Sequence, residues 1–475
     1  MIKTEPPASP RPVGASVSRR GLFQIAGASA AVAATPAAAR NFGTGFTHNV
    51  ASGEPSKDSV LLWTRYVGDQ TVELEWQVSD SEDFTSVIAE GQVTASPDHD
   101  FCAKAVATGL AANSWYFFRF TAPGGSQSPI GRTRTLPEGP TTKFKMAVFS
   151  CSNFGFGYFN AYAHAAEAND CDLAVHLGDY IYEYSNKNYP NPSQAVSGRD
   201  IAPETEIVAL ADYRLRYATY RADPDLQRLH QILPMISVWD DHESTNDSWK
   251  DGAQNHQPES EGEWSVRKEV SKRVYREWLP VSDQPYAQYD VGDLATLFRL
   301  DTRLEGREEQ FSIEKLLKGK NDPEAMLASL TAFGKGDYLD PNRQLLGASQ
   351  EQWLIEGLNG SKRRGATWQV LVQQVLMGKV MAPQSLFASI PDGLPDYLKR
   401  RLQAGALARQ AELPLNMDAW DGYPAARDRL FKGALEANAN LVVLAGDTHN
   451  AWNFDLMHEN EPVGVEFGVS SVSSP

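Results

Sequence analysis

The chain has 475 residues, of which 42% are hydrophobic, and a formal net charge of −16. This length is sufficient for two domains with separate cores, and a mean hydropathy of −0.40 excludes an integral membrane protein. Residues 1–39 carry four basic side chains and one acidic one, so the rest of the chain carries a net charge of −19. Binding to duplex nucleic acid is therefore not expected.

The first 39 residues have the pattern of an export leader. Arg19–Arg20 precede a mildly apolar segment rich in Ala and Gly, which ends at the small residues Ala37–Ala38–Ala39. This order resembles a twin-arginine signal peptide; a disordered tail or an amphipathic helix is the alternative. The resemblance implies that the twin-arginine translocase is a partner during export. It also implies a periplasmic or secreted mature protein without a membrane span.

The sequence predicts an all-β domain over residues 44–136. Val60–Tyr66, Thr71–Val78 and Trp115–Thr121 are strand-like runs, with Gly, Pro, Asn and Asp between them. The expected product is a small β-sandwich of the fibronectin or immunoglobulin type. Pro137–Glu138–Gly139–Pro140 cannot continue a strand and marks a linker.

Residues 141–475 alternate between strand-like and helical segments, which predicts a second domain of the α/β (α+β) sandwich class. Helices are expected to cover its sheets. The predicted strands are Phe144–Ser150, Leu173–Leu177, Met235–Trp239, Trp368–Gln373 and Asn440–Ala445, and the predicted helices include Phe159–Asn169, Trp264–Trp278 and Ser349–Asn359.

Acidic residues follow three of these predicted strands. Asp179, Asp241 and Asp447 each lie where an apolar run gives way to polar residues. Because open α/β sheets gather ligands at the carboxyl ends of their strands, we expect these carboxylates to converge. The polar stretch Ser244–Glu263 follows directly on one of them and is expected to form a wall of the site.

Other side chains near these aspartates could complete a metal site. Tyr182 lies three residues after Asp179, and a phenolate is a hard ligand that favours a trivalent metal such as Fe³⁺ over Zn²⁺ or Mg²⁺. His449 lies two residues after Asp447, so the two side chains can point to the same side of an extended segment. His242 is a candidate for polarising or protonating substrate oxygens. The alternatives are a helix N-cap for Asp179, core packing for Tyr182 and a surface ion pair for His242.

These runs resemble the calcineurin-like and purple acid phosphatase superfamily, and more narrowly the alkaline phosphatase D (PhoD-like) family. The match extends over nearly the whole chain after the leader. The motifs that carry it are Ser150–Cys151, Gly178–Asp179–Tyr180–Ile181–Tyr182–Glu183, Trp239–Asp240–Asp241–His242–Glu243, Asp301–Thr302–Arg303, Trp420–Asp421–Gly422–Tyr423–Pro424 and Gly446–Asp447–Thr448–His449.

The resemblance implies a ligand set. Cys151 would be a thiolate ligand of Fe³⁺ together with Asp179, Tyr182 and His449, which would also explain an unpaired cysteine in an exported protein with three cysteines. Ca²⁺ prefers oxygen ligands, which Asp179, Asp241 and Asp447 would supply. A second Ca²⁺ could use Gln374, although a packed amide is an equal alternative.

The predicted function is that of an exported metal-dependent phosphoesterase, an alkaline phosphatase or phosphodiesterase. A hydroxide at one cation would attack phosphorus and release phosphate or a phosphomonoester from small-molecule or polymeric esters. Asp241 and His242 would act in catalysis. Arg303 would hold phosphate oxygens, unless it forms a structural salt bridge with Asp301.

The alternative is a non-catalytic surface-binding protein with a relic phosphoesterase domain, although the complete ligand set opposes it. The chain stops at Ser473–Ser474–Pro475, where members of the family continue, so a C-terminal truncation is one interpretation.

Overall fold

The computed structural model describes residues 42–186, 188–387, 393–394, 396–414 and 416–475. The predicted leader, residues 1–39, lies outside the described residues. Within these residues, every helix is too short or too polar to cross a lipid bilayer.

From residue 42 to the end of α5, the part of the chain that the structure describes contains twelve strands and five α-helices. The strands are β1 (Gly45–Gly53), β2 (Ser59–Val67), β3 (Val72–Ser79), β4 (Val87–Ala95), β5 (Cys102–Thr108), β6 (Trp115–Thr121), β7 (Gly131–Arg134), β8 (Met146–Phe149), β9 (Leu173–His176), β10 (Met235–Ser237), β11 (Ser248–Trp249) and β12 (Gly252–Ala253). The helices are α1 (Asn160–Ala168), α2 (Leu210–Arg221), α3 (Pro224–Ile232), α4 (Pro258–Glu261) and α5 (Trp264–Trp278).

The described residues of the second half form six further strands and five further α-helices. The strands are β13 (Ala287–Val291), β14 (Ala295–Arg299), β15 (Trp368–Val372), β16 (Leu441–Ala445), β17 (Trp452–His458) and β18 (Glu461–Gly468). The helices are α6 (Ile313–Leu317), α7 (Pro323–Lys335), α8 (Ala348–Arg363), α9 (Asp396–Gln410) and α10 (Pro424–Glu436).

Two six-stranded mixed sheets form the centre of the molecule. Their strand orders are β5-β2-β1-β10-β9-β8 and β13-β14-β15-β16-β18-β17. The strands β8, β9 and β10 are mutually parallel in the first sheet, as are β14, β15, β16 and β18 in the second. Apolar side chains of β9 and β10 pack against those of β13 to β16, so the two sheets share one buried layer.

Helices cover the outer faces of both central sheets. Side chains of α1, α2, α3 and α5 share a core with the first sheet, and α8 and α10 share one with the second. A separate apolar cluster joins α6, α7 and α9. The predicted α/β sandwich is thus confirmed.

The N-terminal β region is joined to the first central sheet. A four-stranded antiparallel sheet, β4-β3-β6-β7, packs on β1, β2 and β5 and forms the predicted all-β region. In addition, β1 pairs in parallel with β10 through Gly53 and Met235. A Cβ atom on Gly53 would lie 2.7 Å from the carbonyl oxygen of Met235, so this approach requires glycine.

Candidate active site

The predicted ligands leave the carboxyl ends of neighbouring parallel strands. Cys151 follows β8, Asp179 follows β9, and Asp447 follows β16 of the second sheet. Asp241 follows β10, and all four side chains are at most 1% exposed. The site thus lies at the shared edge of the two sheets, where the strand pattern predicted it.

The backbone turns sharply at several of these positions. Cys151, Asp179, Asp447 and His449 have φ angles of 59°, 54°, 65° and 64°, in the left-handed region that side chains other than glycine rarely adopt. Gly178 has a φ of 98°, and a Cβ atom on it would lie 2.4 Å from the Cβ of Asp240. Such strained positions persist only where the surrounding structure imposes them.

A first group combines a thiol, a carboxylate, a phenol and an imidazole. One potential ligand atom from each of Cys151, Asp179 and His449 lies within 4.8 Å of the others. The Tyr182 hydroxyl donates to Asp179 Oδ2 at 3.0 Å and lies 3.2 Å from His449 Nε2. The four predicted ligands of one ion therefore come together in space.

A second group consists mainly of carboxylates. Asp240, Asp241 and Asp447 have carboxylate oxygens within 4.8 Å of one another. In an overlapping set, a carboxylate oxygen of Asp179, one of Asp241 and a ring nitrogen of His242 also lie within 4.8 Å of one another. Asp179 thus belongs to both groups and lies between two possible ion positions. Asp240, which the sequence did not nominate as a ligand, joins this group.

The guanidinium of Arg303 lies inside the acidic cluster. It is fully buried and contacts the carboxylate of Asp240, that of Asp418 at 2.9 Å and that of Asp447 at 3.3 Å. Asp301 accepts hydrogen bonds from the backbone N–H groups of Arg303 and Leu304 and contacts no guanidinium atom in the described contacts. A phosphate-binding role for Arg303 stays a prediction.

Burial and mutual repulsion set the electrostatics of the cluster. Burial raises the pKa of the Cys151 thiol well above its usual range, and the charge of Asp179 adds to this rise; the same two causes raise the pKa of Tyr182. Burial also raises the pKa of Asp240. Arg303 opposes this rise, whereas Asp241 and further nearby carboxylates add to it. Anionic forms of these groups are therefore unfavourable without added positive charge.

The residues fit bound cations. The buried carboxylates of the cluster outnumber the guanidinium groups that contact them: Asp240, Asp241, Asp418 and Asp447 surround Arg303, and Arg307 contacts Asp418 as well. Asp240 Oδ2 is buried and has no hydrogen-bond partner among the described residues. Thiolate, phenolate, imidazole and carboxylate are all metal ligands, and buried charges are normally paired or coordinate metals. This donor set is suited to metal binding, and Asp179 is common to both groups.

Besides Asp240, three acidic residues at the site escaped prediction from the sequence. Glu183 lies in a motif next to Tyr182, and its carboxylate lies 2.6 Å from His242 Nδ1. Glu243 accepts from the backbone N–H groups of Asp179, Tyr180 and Asp240 and so fixes the ligand loops. Asp418 has no local signal, because its partners are more than 100 residues away in the chain.

Gln374 is a packed amide in this structure. Its Nε2 donates to the backbone oxygens of Trp239 and Leu300, and its Oε1 accepts from the Thr302 hydroxyl at 2.7 Å. These three contacts hold the ends of β10, β14 and β15 together.

Comparison with known proteins agrees with this geometry. Residues 146–475 match the model of the PhoD-like phosphatase family, and residues 30–137 match that of its N-terminal domain. Alkaline phosphatase D of Bacillus subtilis (strain 168) is 33% identical over 464 residues, covering 92% of this chain and 71% of the relative. A solved structure of PhoD superposes with a TM-score of 0.73 at 32% identity, covering 92% of this chain and 79% of that one.

The fold, the clustered site and these matches define the protein as a phosphoric ester hydrolase. More narrowly, the chain belongs to the PhoD-like phosphatase family.

Proposed function

We propose that this chain is an exported, metal-dependent phosphoesterase with the activity of an alkaline phosphatase or phosphodiesterase. The observation that carries the proposal is the convergence of Cys151, Tyr182 and His449 on Asp179, beside further buried aspartates. Cys151, His449 and the loop that carries both Asp179 and Tyr182 come from separate parts of the chain.

The proposed ions are Fe³⁺ and Ca²⁺. Cys151, Tyr182 and His449 offer sulfur, phenolate and imidazole, a donor set suited to Fe³⁺, whereas Asp241 and Asp447 offer only oxygens, which suit Ca²⁺. When bound, the cations supply charge neutralisation for the phosphoryl group and Lewis acidity. Asp179, which belongs to both groups, would be available as a ligand to either ion.

The protein's own groups would bind and orient the ester. The guanidinium of Arg303 is held by the carboxylates of Asp240, Asp418 and Asp447. Arg303 would therefore attract a phosphoryl group as a fixed positive charge within the cluster. Asp241 accepts from the backbone N–H of Asp247 at 2.7 Å, which keeps its carboxylate oriented. His242 is the side chain proposed to transfer a proton to substrate oxygen.

The test combines metal analysis, visible absorption and a panel of phosphomonoesters and phosphodiesters. We expect iron and calcium in the purified protein, a visible absorption band from thiolate or phenolate bound to Fe³⁺, and ester hydrolysis. Asp179→Asn is expected to lower kcat more than about 100-fold and to reduce the metal content while circular dichroism is unchanged.

The exposed Asp283 provides a matched control, since its side chain is 86% exposed. Asp283→Asn is expected to retain activity and metal. A colourless, iron-free preparation that hydrolyses esters would refute the assignment of iron. A metal-loaded protein that hydrolyses no ester would favour the alternative of a non-catalytic surface-binding protein.

The export proposal depends on Arg19–Arg20 and on the cleavage pattern at Ala37–Ala39. Fractionation of expressing cells is expected to recover the protein from the periplasm or the medium, with its N-terminus at Arg40. Replacing both arginines by lysine is expected to retain the uncleaved chain in the cytoplasm. Recovery of both forms uncleaved in the cytoplasm would overturn the proposal.

A further inference from the structure

Resting on the proposed phosphoesterase function, we propose that Glu183 is a positioning residue that holds His242 in the orientation needed to protonate the leaving-group oxygen. His242 Nδ1 lies 2.6 Å from Glu183 Oε2, and the two side chains are 4% and 0% exposed. A hydrogen bond to one ring nitrogen determines which tautomer the imidazole adopts and which nitrogen remains for chemistry.

Glu183 is itself held by three further donors. Its Oε1 accepts from the Thr245 hydroxyl at 3.1 Å, the backbone N–H of Asn246 at 2.8 Å and Asn255 Nδ2 at 3.0 Å. Together with the contact to His242, these hydrogen bonds fix the carboxylate in one orientation, as an orienting acceptor must be.

The imidazole ring is also fixed by aromatic neighbours. The ring of Tyr182 lies 4.3 Å from that of His242 with an interplanar angle of 32°, and the ring of Tyr184 lies at 5.4 Å. A ring nitrogen lies within 4.8 Å of carboxylate oxygens of Asp179 and Asp241. The side chain is thus held beside the cluster, and its Nδ1 is occupied by Glu183.

The proposed step is a proton transfer from His242 Nε2. As the bond between phosphorus and the leaving-group oxygen breaks, that oxygen keeps the electron pair and takes the Nε2 proton, which releases the alcohol and leaves a neutral imidazole. The attacking water contributes its oxygen to phosphorus and returns one proton to the imidazole, so charge and protons balance. Throughout, the proton on Nδ1 stays directed at Glu183.

The test is the dependence of kcat on the leaving group. An alkyl ester needs a proton on its leaving oxygen, whereas a 4-nitrophenyl ester with the same phosphoryl group does not. Glu183→Gln is expected to lower kcat for the alkyl ester about 10- to 100-fold and for the nitrophenyl ester less than about 3-fold. KM, metal content and melting temperature are expected to stay near their wild-type values.

Two further variants separate positioning from structural support. Glu206 also accepts from Asn255 Nδ2, at 3.1 Å, but it does not contact His242, so Glu206→Gln is the matched control and is expected to show no leaving-group dependence. His242→Gln is expected to reproduce the pattern of Glu183→Gln. If Glu183 acts only through His242, the double variant is no slower than His242→Gln alone.

The outcomes are distinguishable. Equal losses on both esters together with a lower metal content would show that Glu183 only supports the fold, and unchanged kcat on both would show that it has no positioning role. If Glu183→Gln does not fold, His242→Gln alone is compared on the two esters. An equal loss of kcat on both esters overturns the proposal, and a loss confined to the alkyl ester supports it. A wild-type protein that hydrolyses neither ester refutes the proposed function itself, and this inference with it.

Discussion

At the residue scale, four of the nominated ligands are in the left-handed backbone region. Cys151, Asp179, Asp447 and His449 have positive φ angles, and each follows a strand of the central sheets. The sharp turn after each strand directs the side chain across the sheet edge rather than along the strand axis. Without these turns, the thiol, imidazole and carboxylates would not converge, so the cost of the strained backbone is linked to the function of the site.

Gly178 gives a direct test of this close packing. Gly178→Ala adds a Cβ atom 2.4 Å from Asp240 Cβ at a φ of 98°, so we expect a loss of about 2–4 kcal/mol in unfolding free energy and a lower metal content. Gly198, with a φ of 81° and no atom within 4 Å of an added Cβ, is the control. Gly198→Ala is expected to cost about 1 kcal/mol. Equal losses in denaturant titrations would show that the contact with Asp240 is unimportant.

The sequence reveals some site residues and hides others. Asp179, Asp241 and Asp447 could be nominated because a strand end followed by an acid is a local pattern. Cys151 required the family resemblance, since a buried cysteine after a strand has no distinctive local signal. Asp418 could not be found, because its role depends on Arg303 and Arg307, which only the folded chain brings to it.

At the scale of elements, one arginine of α2 holds the loop that carries Tyr182. Arg216 is fully buried and donates to the carbonyl oxygens of Tyr182 and Tyr184. It also donates to those of Ala202, Pro203 and Thr205, on a second loop. The guanidinium thus satisfies five backbone acceptors that no secondary structure pairs, and it ties both loops to the helix.

Replacement of Arg216 is expected to loosen the metal site. Arg216→Lys keeps the positive charge but supplies three donors from a single nitrogen instead of a planar fork, so at least two carbonyl oxygens lose their partner. We expect a loss of about 2–4 kcal/mol in unfolding free energy, together with a lower metal content. Denaturant titration and metal analysis measure the two effects.

The exposed Arg228 of α3 serves as the control for this substitution. Its guanidinium donates to Gln231 at 3.0 Å, so Arg228→Lys is expected to change the stability by less than about 0.5 kcal/mol. If Arg216→Lys were as stable as Arg228→Lys, Arg216 would not be the residue that holds the two loops to α2.

Element positions were predictable, but part of the sheet pairing was not. The predicted strand Trp115–Thr121 and helix Trp264–Trp278 coincide with β6 and α5, because alternation and helical periodicity are local properties. The pairing of β1 with β10 depends on two residues that are distant in the chain, Gly53 and Met235. No periodicity encodes such a contact, so the continuity between the N-terminal β region and the first central sheet emerged only from the structure.

At the scale of the whole molecule, His48 lies where the N-terminal β region meets the helices of the first central sheet. It belongs to β1, is fully buried, and its Nε2 lies 3.1 Å from the carbonyl oxygen of Ala218 in α2. Its ring packs edge-on against Trp278 of α5 at 5.0 Å. Protonation of His48 would therefore add a positive charge to a buried layer that already holds Arg65 and Arg221.

This burial makes the junction sensitive to acid. Burial, and then the charges of Arg65 and Arg221, lower the pKa of His48 from 6.5 to about 3. Because the pKa of His48 is lower in the folded chain than in the unfolded chain, the unfolded chain binds the proton first as the pH falls. The stability contributed by neutral His48 is therefore present above pH 6.5 and is lost as the pH falls toward 3. The expected loss between pH 7 and pH 5 is about 2 kcal/mol.

Substitution of His48 by glutamine isolates this effect. His48→Gln cannot bind the proton in either state, so the difference in unfolding free energy between wild type and variant should shift by about 2 kcal/mol in favour of the variant from pH 7 to pH 5. The exposed His164 is the control for the substitution itself, and His164→Gln is expected to change the unfolding free energy at pH 7 by less than about 0.5 kcal/mol. Parallel stability curves for wild type and His48→Gln would mean that acid acts elsewhere in the molecule and that the junction does not titrate.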